Sequence, residues 1–339
     1  MFYFHNGRYR CEAVLGSGSY GDVWRAWDGH LGRYVALKLL HKDEPLAFAT
    51  REAIALTALE GPHVLRVLNA DRHEDIPYLA TEIVEGGTAQ DRVGTFGVPC
   101  HLAVRWARHA LVGLGVCHRR QLLHRDVKPA NIFLASDDEA LIGDFGVVAA
   151  LDTDGTTSVA GTWGIRAPEC WTLGRMTTSS DLYSVGVALF VMLTGTFPFV
   201  GATETEVGAS VLAQKHPKLR DLAPHVPLAL AKRVQRAMAV DPNDRYQTAE
   251  EFHEALGEPD KDQRIWRRVG VHDTHEKCWV SGPTATRAAV HVCVTRSENG
   301  FAIEARRSSG SKTRILSGCA TAQNEAALAV ALRRIFTHL

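Results

Sequence analysis

The stretch His124-Arg125-Asp126-Val127-Lys128-Pro129-Ala130-Asn131, followed downstream by Asp144-Phe145-Gly146, decides how the chain reads. The first segment sets a carboxylate, an ammonium and an amide in one short loop. Asp126 is suited to orient a hydroxyl and accept its proton, Lys128 to neutralise a transferring γ-phosphoryl group, and Asn131 to offer its amide oxygen to magnesium. Asp144 adds the hard anionic oxygen that magnesium prefers. Phe145 then reads as a packing switch, and Gly146 as the residue that permits a sharp backbone change. The same side chains can build a structural hydrogen-bond network, but Asp144 downstream favours phosphoryl transfer.

Working toward the start of the chain, Gly16-Ser17-Gly18-Ser19-Tyr20-Gly21 lies between strand patterns at residues 9–15 and 22–27. Glycines there let backbone amides approach phosphate oxygens closely. A further strand at residues 33–40 carries Lys38 in Val35-Ala36-Leu37-Lys38, where an ammonium among apolar neighbours needs an anionic partner. Glu52, on a helix expected over residues 46–59, is one such partner, and Glu44 is another; the ammonium would also hold the α- and β-phosphates. Strands at residues 64–69 and 78–84 end at Gly86-Gly87, completing a small sheet with one helix.

Beyond that pair the pattern turns helical, at residues 101–121, 181–194 and 228–239. It breaks at Gly257-Glu258-Pro259-Asp260, where a domain boundary is expected. Residues 258–339 alternate β-rich stretches (278–281, 288–295, 301–306) before a terminal helix near 322–337. This segment has 13 Lys/Arg against 8 Asp/Glu, a net of +5; because the whole chain is formally neutral, residues 1–257 carry −5. A small C-terminal α/β domain of opposite charge has a route to docking on the acidic part, or to self-association.

The order and spacing of these motifs resemble the eukaryotic-type protein kinase family over residues 9–256, with a bacterial flavour in Asp181-Leu182-Tyr183-Ser184 and Asn243-Asp244-Arg245-Tyr246-Gln247-Thr248-Ala249-Glu250-Glu251-Phe252. The resemblance implies an α+β, two-lobed fold: an antiparallel N-lobe at about 9–84 and a mainly helical C-lobe at about 88–257, with residues 258–339 as an added domain. It implies an ATP-dependent serine/threonine protein kinase acting on protein substrates, with Mg2+ or, in its place, Mn2+. By the same resemblance Thr81 is the gatekeeper, and the backbone of Glu82 and Val84 meets adenine. Leu15, Val23, Ala36 and Phe133 enclose the ring, and Gly16, Gly18 and Gly21 cover the phosphates. Glu169 pairs with Arg245, and Asp181 braces the catalytic loop. Thr162 bridges Asp126 and Lys128, and Arg125 receives an activation-loop phosphate from Thr156, Thr157 or Ser158 through autophosphorylation. Lys128 and Ala167-Pro168-Glu169 speak against a small-molecule phosphotransferase. Trp163-Gly164-Ile165-Arg166 departs from the usual family pattern beside the acceptor.

Composition narrows the rest. Seven cysteines are scattered, without a Cys-x-x-Cys pair or zinc-like spacing, and read as reduced thiols. No secretory pattern opens the chain and no apolar run is long enough to span a bilayer, so a cytoplasmic protein without a membrane partner is expected. The tail's element order resembles a double-stranded-RNA-binding module. The basic cluster such a module needs is missing from Thr321-Ala322-Gln323-Asn324-Glu325, which speaks against nucleic acid.

Overall fold

Alternation of apolar and polar residues builds the first layer of the computed structural model, which describes residues 1–339 except 19–20, 42–56, 137–138, 146–147, 259–263, 273, 285–286 and 308–312. Strands β1 (Phe2–Phe4), β2 (Tyr9–Gly18), β3 (Gly21–Asp28), β4 (Arg33–Leu40), β5 (Val67–His73) and β6 (Ile76–Thr81) form one antiparallel sheet in the order β1-β2-β3-β4-β6-β5. Val35, Leu37, Ala26, Tyr78 and Ala80 close one face with Phe4, Tyr9 and Cys11. Because strand side chains alternate, Ala36 and Lys38 point to the opposite face. There Ala36 lies across from Thr81, and Lys38 across from both Val23 and Leu79.

Two differences from the sequence reading have local causes. Strand β5 starts at Val67 because Val64 is taken by a bridge to Ile142, in the other lobe. Strand β6 stops at Thr81, leaving residues 82–84 as the connector between lobes. The helix expected over 46–59 lies largely outside the described residues, and Glu52 and Glu44 lie there with it.

The second layer is helical: α1 (Ala89–Arg92), α2 (Cys100–Arg119), α3 (Pro168–Thr172), α4 (Thr178–Thr194), α5 (Glu204–Leu212), α6 (Leu219–Leu222), α7 (Leu228–Ala237) and α8 (Ala249–Leu256). Three short two-stranded antiparallel ladders sit among them: β7 (Leu122–Leu123) with β10 (Ala149–Ala150), β8 (Ile132–Ser136) with β9 (Glu139–Ile142), and β11 (Thr157–Ser158) with β12 (Arg175–Met176). Helix α4 is apolar on every side, and all its residues from Ser180 onward are buried, so it forms the axis of this lobe. Each Leu, Val or Phe it buries stabilises the fold by roughly 1.5–3 kcal/mol. Gly195, at φ 79°, ends the helix in the left-handed conformation that favours glycine.

Residues beyond α8 form a second antiparallel sheet, β13 (Trp266–Val269), β14 (His275–Ser281), β15 (Val290–Ser297), β16 (Gly300–Arg307) and β17 (Ala320–Ala322), in sequential order. Helix α9 (Glu325–His338) packs Leu328, Leu332 and Ile335 against Trp266, Trp279, Val292 and Ile303 in a core of its own. The ladder is antiparallel throughout, so this part is sheet-rich α+β. Strands β13 and β17 escaped the sequence reading because one is four residues with two arginines and the other is three small residues. Arg333 pairs with Asp221 at 2.8 Å, and the Arg268 guanidinium lies 4.3 Å from the Phe96 ring centroid, joining this sheet and helix to the helical layer. No helix among the described residues is long and apolar enough to cross a membrane.

One carboxylate interrupts the apolar helix α4. Asp181 is fully buried, and its Oδ2 accepts the His124 backbone N–H and a His118 Nε2 contact, each at 2.9 Å. Its Oδ1 accepts the Arg125 backbone N–H at 2.9 Å. Burial by itself would raise this carboxyl, but His118 and the His124 amide outweigh it and hold the group below the ordinary 3.8. A depressed carboxyl contributes stability that is present above its unfolded value and lost as pH falls through its lower folded value. Asp181→Asn is therefore expected to cost about 3 kcal/mol at pH 7. The gap from wild type should shrink below about pH 3.9, in urea unfolding followed across pH. A gap of constant size down to pH 3 would contradict this account.

Candidate active site

The loop tied down by Asp181 carries Asp126, Lys128 and Asn131. Arg125 has φ 66°, a left-handed conformation held by its N–H on Asp181. Asp126 follows, 2% exposed. Its Oδ1 accepts the Thr162 N–H at 2.8 Å, and its Oδ2 meets Lys128 Nζ at 2.7 Å and Asn131 Nδ2 at 3.1 Å. Lys128 Nζ also donates to Thr162 Oγ1 at 2.7 Å, so Thr162 touches both partners. Desolvation pushes the Asp126 carboxyl up, yet the Lys128 charge and these hydrogen bonds bring it below its ordinary value. It is a carboxylate at neutral pH.

Gly161 lets the two loops meet. At φ 85° it places its backbone so close to the 124–131 loop that a Cβ would stand 2.2 Å from the Arg125 carbonyl oxygen. Gly21 does the same in the glycine-rich turn, with φ 148° and a Cβ position 2.0 Å from the Leu39 carbonyl oxygen. Ser19 and Tyr20 of that turn lie outside the described residues. Gly16 and Gly18 pair with Val23 and Gly21 across it.

Asn131 donates its amide nitrogen to the Asp126 carbonyl at 2.7 Å as well as to the carboxylate, which turns its amide oxygen away from Asp126. Its own carbonyl accepts the Gly143 N–H at 3.0 Å, binding this segment to the one that bears Asp144. Asp144 has φ 60°, and its Oδ1 is 2.5 Å from Lys38 Nζ. Phe145 is fully buried beside Leu65, Val67 and Leu79, while His124 bonds the Gly143 carbonyl at 2.9 Å. Gly146 lies outside the described residues. The oxygen donors Asn131 and Asp144 are thus tied by one backbone hydrogen bond, beside an ammonium and a carboxylate. That donor set fits a hard divalent cation.

Above it, Val23, Ala36, Val84 and Phe133 are half-buried, and Leu15 stands 51% exposed at a β-bulge in β2. Thr81 donates its hydroxyl to the Glu82 carbonyl at 3.2 Å, and the Glu82 N–H bonds the Arg66 carbonyl at 3.3 Å. Val23, Ala36 and Thr81 lie on the sheet face that Lys38 occupies, while Val84 and Phe133 pack against the cluster that holds Phe145.

Among the three hydroxyls of Thr156, Thr157 and Ser158 the surroundings differ. Thr157 is buried in β11, and the Thr156 hydroxyl donates to Asp154 at 2.7 Å and meets Arg175 at 2.6 Å. Ser158 is exposed, with its Oγ 3.2 Å from Arg125 Nη1. Trp163, 44% exposed, stands next to Thr162. Glu169 accepts two hydrogen bonds from Arg245, at 2.9 and 2.7 Å, in the buried floor. His118 was missed in the sequence. Its signal was helical register, since it follows the buried positions Leu111 and Leu114 on the face of α2 that meets α4.

The protein kinase domain family matches residues 9–266. The serine/threonine-protein kinase PrkC of Bacillus subtilis is 32% identical over 257 residues, 73% of this chain and 40% of that protein. The serine/threonine-protein kinase PknL of Mycobacterium tuberculosis is 34% identical over 255 residues, 72% of this chain and 63% of that protein. The probable serine/threonine-protein kinase CPE1738 of Clostridium perfringens is 31% identical over 267 residues, 76% of this chain and 39% of that protein. The chain thus spans between 39% and 63% of the length of these relatives. With a family match across most of its length, laid over the loop, sheet and helical floor just described, the chain belongs to the protein kinase family.

Proposed function

We propose that the chain is an ATP-dependent serine/threonine protein kinase. The observation that carries this reading is the contact set of Asp126, Lys128 and Thr162, which gathers a carboxylate, an ammonium and a hydroxyl-bearing loop around one reaction point. Asp126 orients the acceptor hydroxyl and takes its proton as the hydroxyl oxygen bonds to the γ-phosphorus and the bond to the ADP oxygen breaks. Lys128 balances charge on the transferring group. Lys38 holds the α- and β-phosphates, and Asn131 and Asp144 hold the divalent cation. Magnesium, when bound, neutralises phosphate charge. The Glu82 and Val84 backbone takes adenine between Leu15, Val23, Ala36 and Phe133, under the turn of Gly16, Gly18 and Gly21.

Residues 1–257 serve as the kinase unit in this proposal, and residues 258–339 as an attached module that docks on the helical lobe through Arg333 and Arg268. Seven unpaired cysteines suit a reducing, cytoplasmic setting. Of the activation-loop hydroxyls, Ser158 is the one we assign to autophosphorylation, since its Oγ is exposed and within reach of Arg125.

Purified protein incubated with labelled ATP, magnesium and a protein substrate should transfer phosphate to serine or threonine. Asp126→Asn should lower the rate by about 10²–10⁴-fold. Equal incorporation by the two proteins, or phosphate found only on metabolites, would sink the reading. Mapping of phosphate on the wild-type chain should find it on Ser158, and Asp126→Asn should lack it. Phosphate confined to Thr156 or Thr157 would refute the assignment of Ser158 while leaving kinase activity standing.

A further inference from the structure

The second sheet carries a side-chain cluster that neither its core nor the kinase cleft uses. Strands β14 and β15 pair Trp279 with Val292, and these side chains, with Val290, pack in the core beneath helix α9. By alternation, Cys278 and its cross-strand partner Cys293 point to the opposite face. Yet they are only 1% and 8% exposed. Packing against the apolar core does not account for two buried thiols on the sheet's outer side.

Two histidines cover them. His275 and Cys278 are three residues apart, so strict alternation would send them to opposite faces. A β-bulge between His275 and Lys277 absorbs one residue and sets His275 opposite Thr295, on the face of Cys293. His272 reaches in from the preceding turn, its ring edge-to-face with His275 at 4.5 Å. One donor atom from each of His272, His275, Cys278 and Cys293 lies within 4.8 Å of every other. The His275 Nδ1 is buried and has no hydrogen-bond partner among the described residues.

We propose that these four side chains form a tetrahedral, structural zinc site. Zinc bonds of ~2.3 Å to sulfur and ~2.0–2.1 Å to nitrogen set tetrahedral neighbours ~3.6 Å apart for S and N, and ~3.8 Å for two sulfurs. The Cys293 Sγ and His272 Nε2 are 3.6 Å apart. Two thiolates with two imidazoles select zinc over magnesium or calcium, which prefer carboxylate and carbonyl oxygens. Four protein ligands close the coordination sphere, so the site holds structure and has no open position for catalysis. On binding, each thiol gives its proton to solvent and each neutral imidazole donates a lone pair, leaving two thiolates to balance the 2+ charge. The ion would fasten the turn at His272 to strands β14 and β15. The ligands run His-x2-His-x2-Cys, and the fourth is supplied across the ladder by Cys293.

The test uses the full chain. Purified protein should carry stoichiometric zinc by elemental analysis, and exchange with cobalt should give the intense visible absorption of a tetrahedral cobalt–thiolate centre. Cys278→Ser with Cys293→Ser should lose the metal, while His291→Ala, on the same sheet face but outside the cluster, should keep it. Should the double variant fail to fold, wild-type protein answers alone: two thiols should resist a thiol reagent until a chelator removes the ion. Metal-free protein with both thiols reactive from the outset, a Cys278–Cys293 disulfide by mass, or full metal content in the double variant would each overturn the proposal. None of these outcomes depends on kinase activity.

Discussion

The Asp181 carboxylate, sunk in an apolar helix, is the point from which the 124–131 loop is hung. It takes the backbone N–H groups of His124 and Arg125 and the ring of His118, so a helix of the core and the reactive loop are joined by charge-assisted hydrogen bonds. An ion at that depth would be costly unless its lone pairs were filled, and here they are filled by the loop it positions. Arg125 can then hold its left-handed backbone, which turns Asp126 toward Lys128 and Thr162. The strain in the loop and the burial of the carboxylate are two sides of one arrangement.

From there the site is a chain of alternating charges. Asp126 meets Lys128, Asp144 meets Lys38, and Arg125 meets the Ser158 oxygens. These groups sit on four separate segments, the 124–131 loop, β4, the segment of Asp144 and β11, and the Gly143 N–H on the Asn131 carbonyl ties the loop to the segment of Asp144. A site whose dipoles and charges are already oriented has little reorganisation left when charge moves in the reaction. The sheet contributes by having two unlike faces: one closed by Phe4, Tyr9 and Tyr78, the other left to Lys38, Val23 and Ala36.

The gathering of Asp126, Lys128 and Asn131 was legible in the sequence because a carboxylate, an ammonium and an amide fall within eight residues. The central helix α4 was legible through the apolar run that follows Ser184. Partners brought in by folding were harder to see. His118 reaches Asp181 only because two helices cross. Strands β13 and β17 are too short, and too rich in arginine or alanine, to show alternation. The histidines and cysteines of the second sheet share a face only through a bulge, which no fixed residue spacing encodes. The pairing of Lys38 with Glu52 falls on residues outside those described, whereas Asp144 stands against the same ammonium.

The docking of the second sheet has a practical edge. Phe96 lies under the Arg268 guanidinium, and His225, buried in the fold, has the ring of Phe336 6.1 Å away. A chain cut after α8 loses these covers and the counter-charge on Asp221. Shortened protein would therefore present a fresh apolar, partly charged surface to its neighbours, and a change in its solubility or self-association would report that bared surface as readily as any signalling duty of the missing piece.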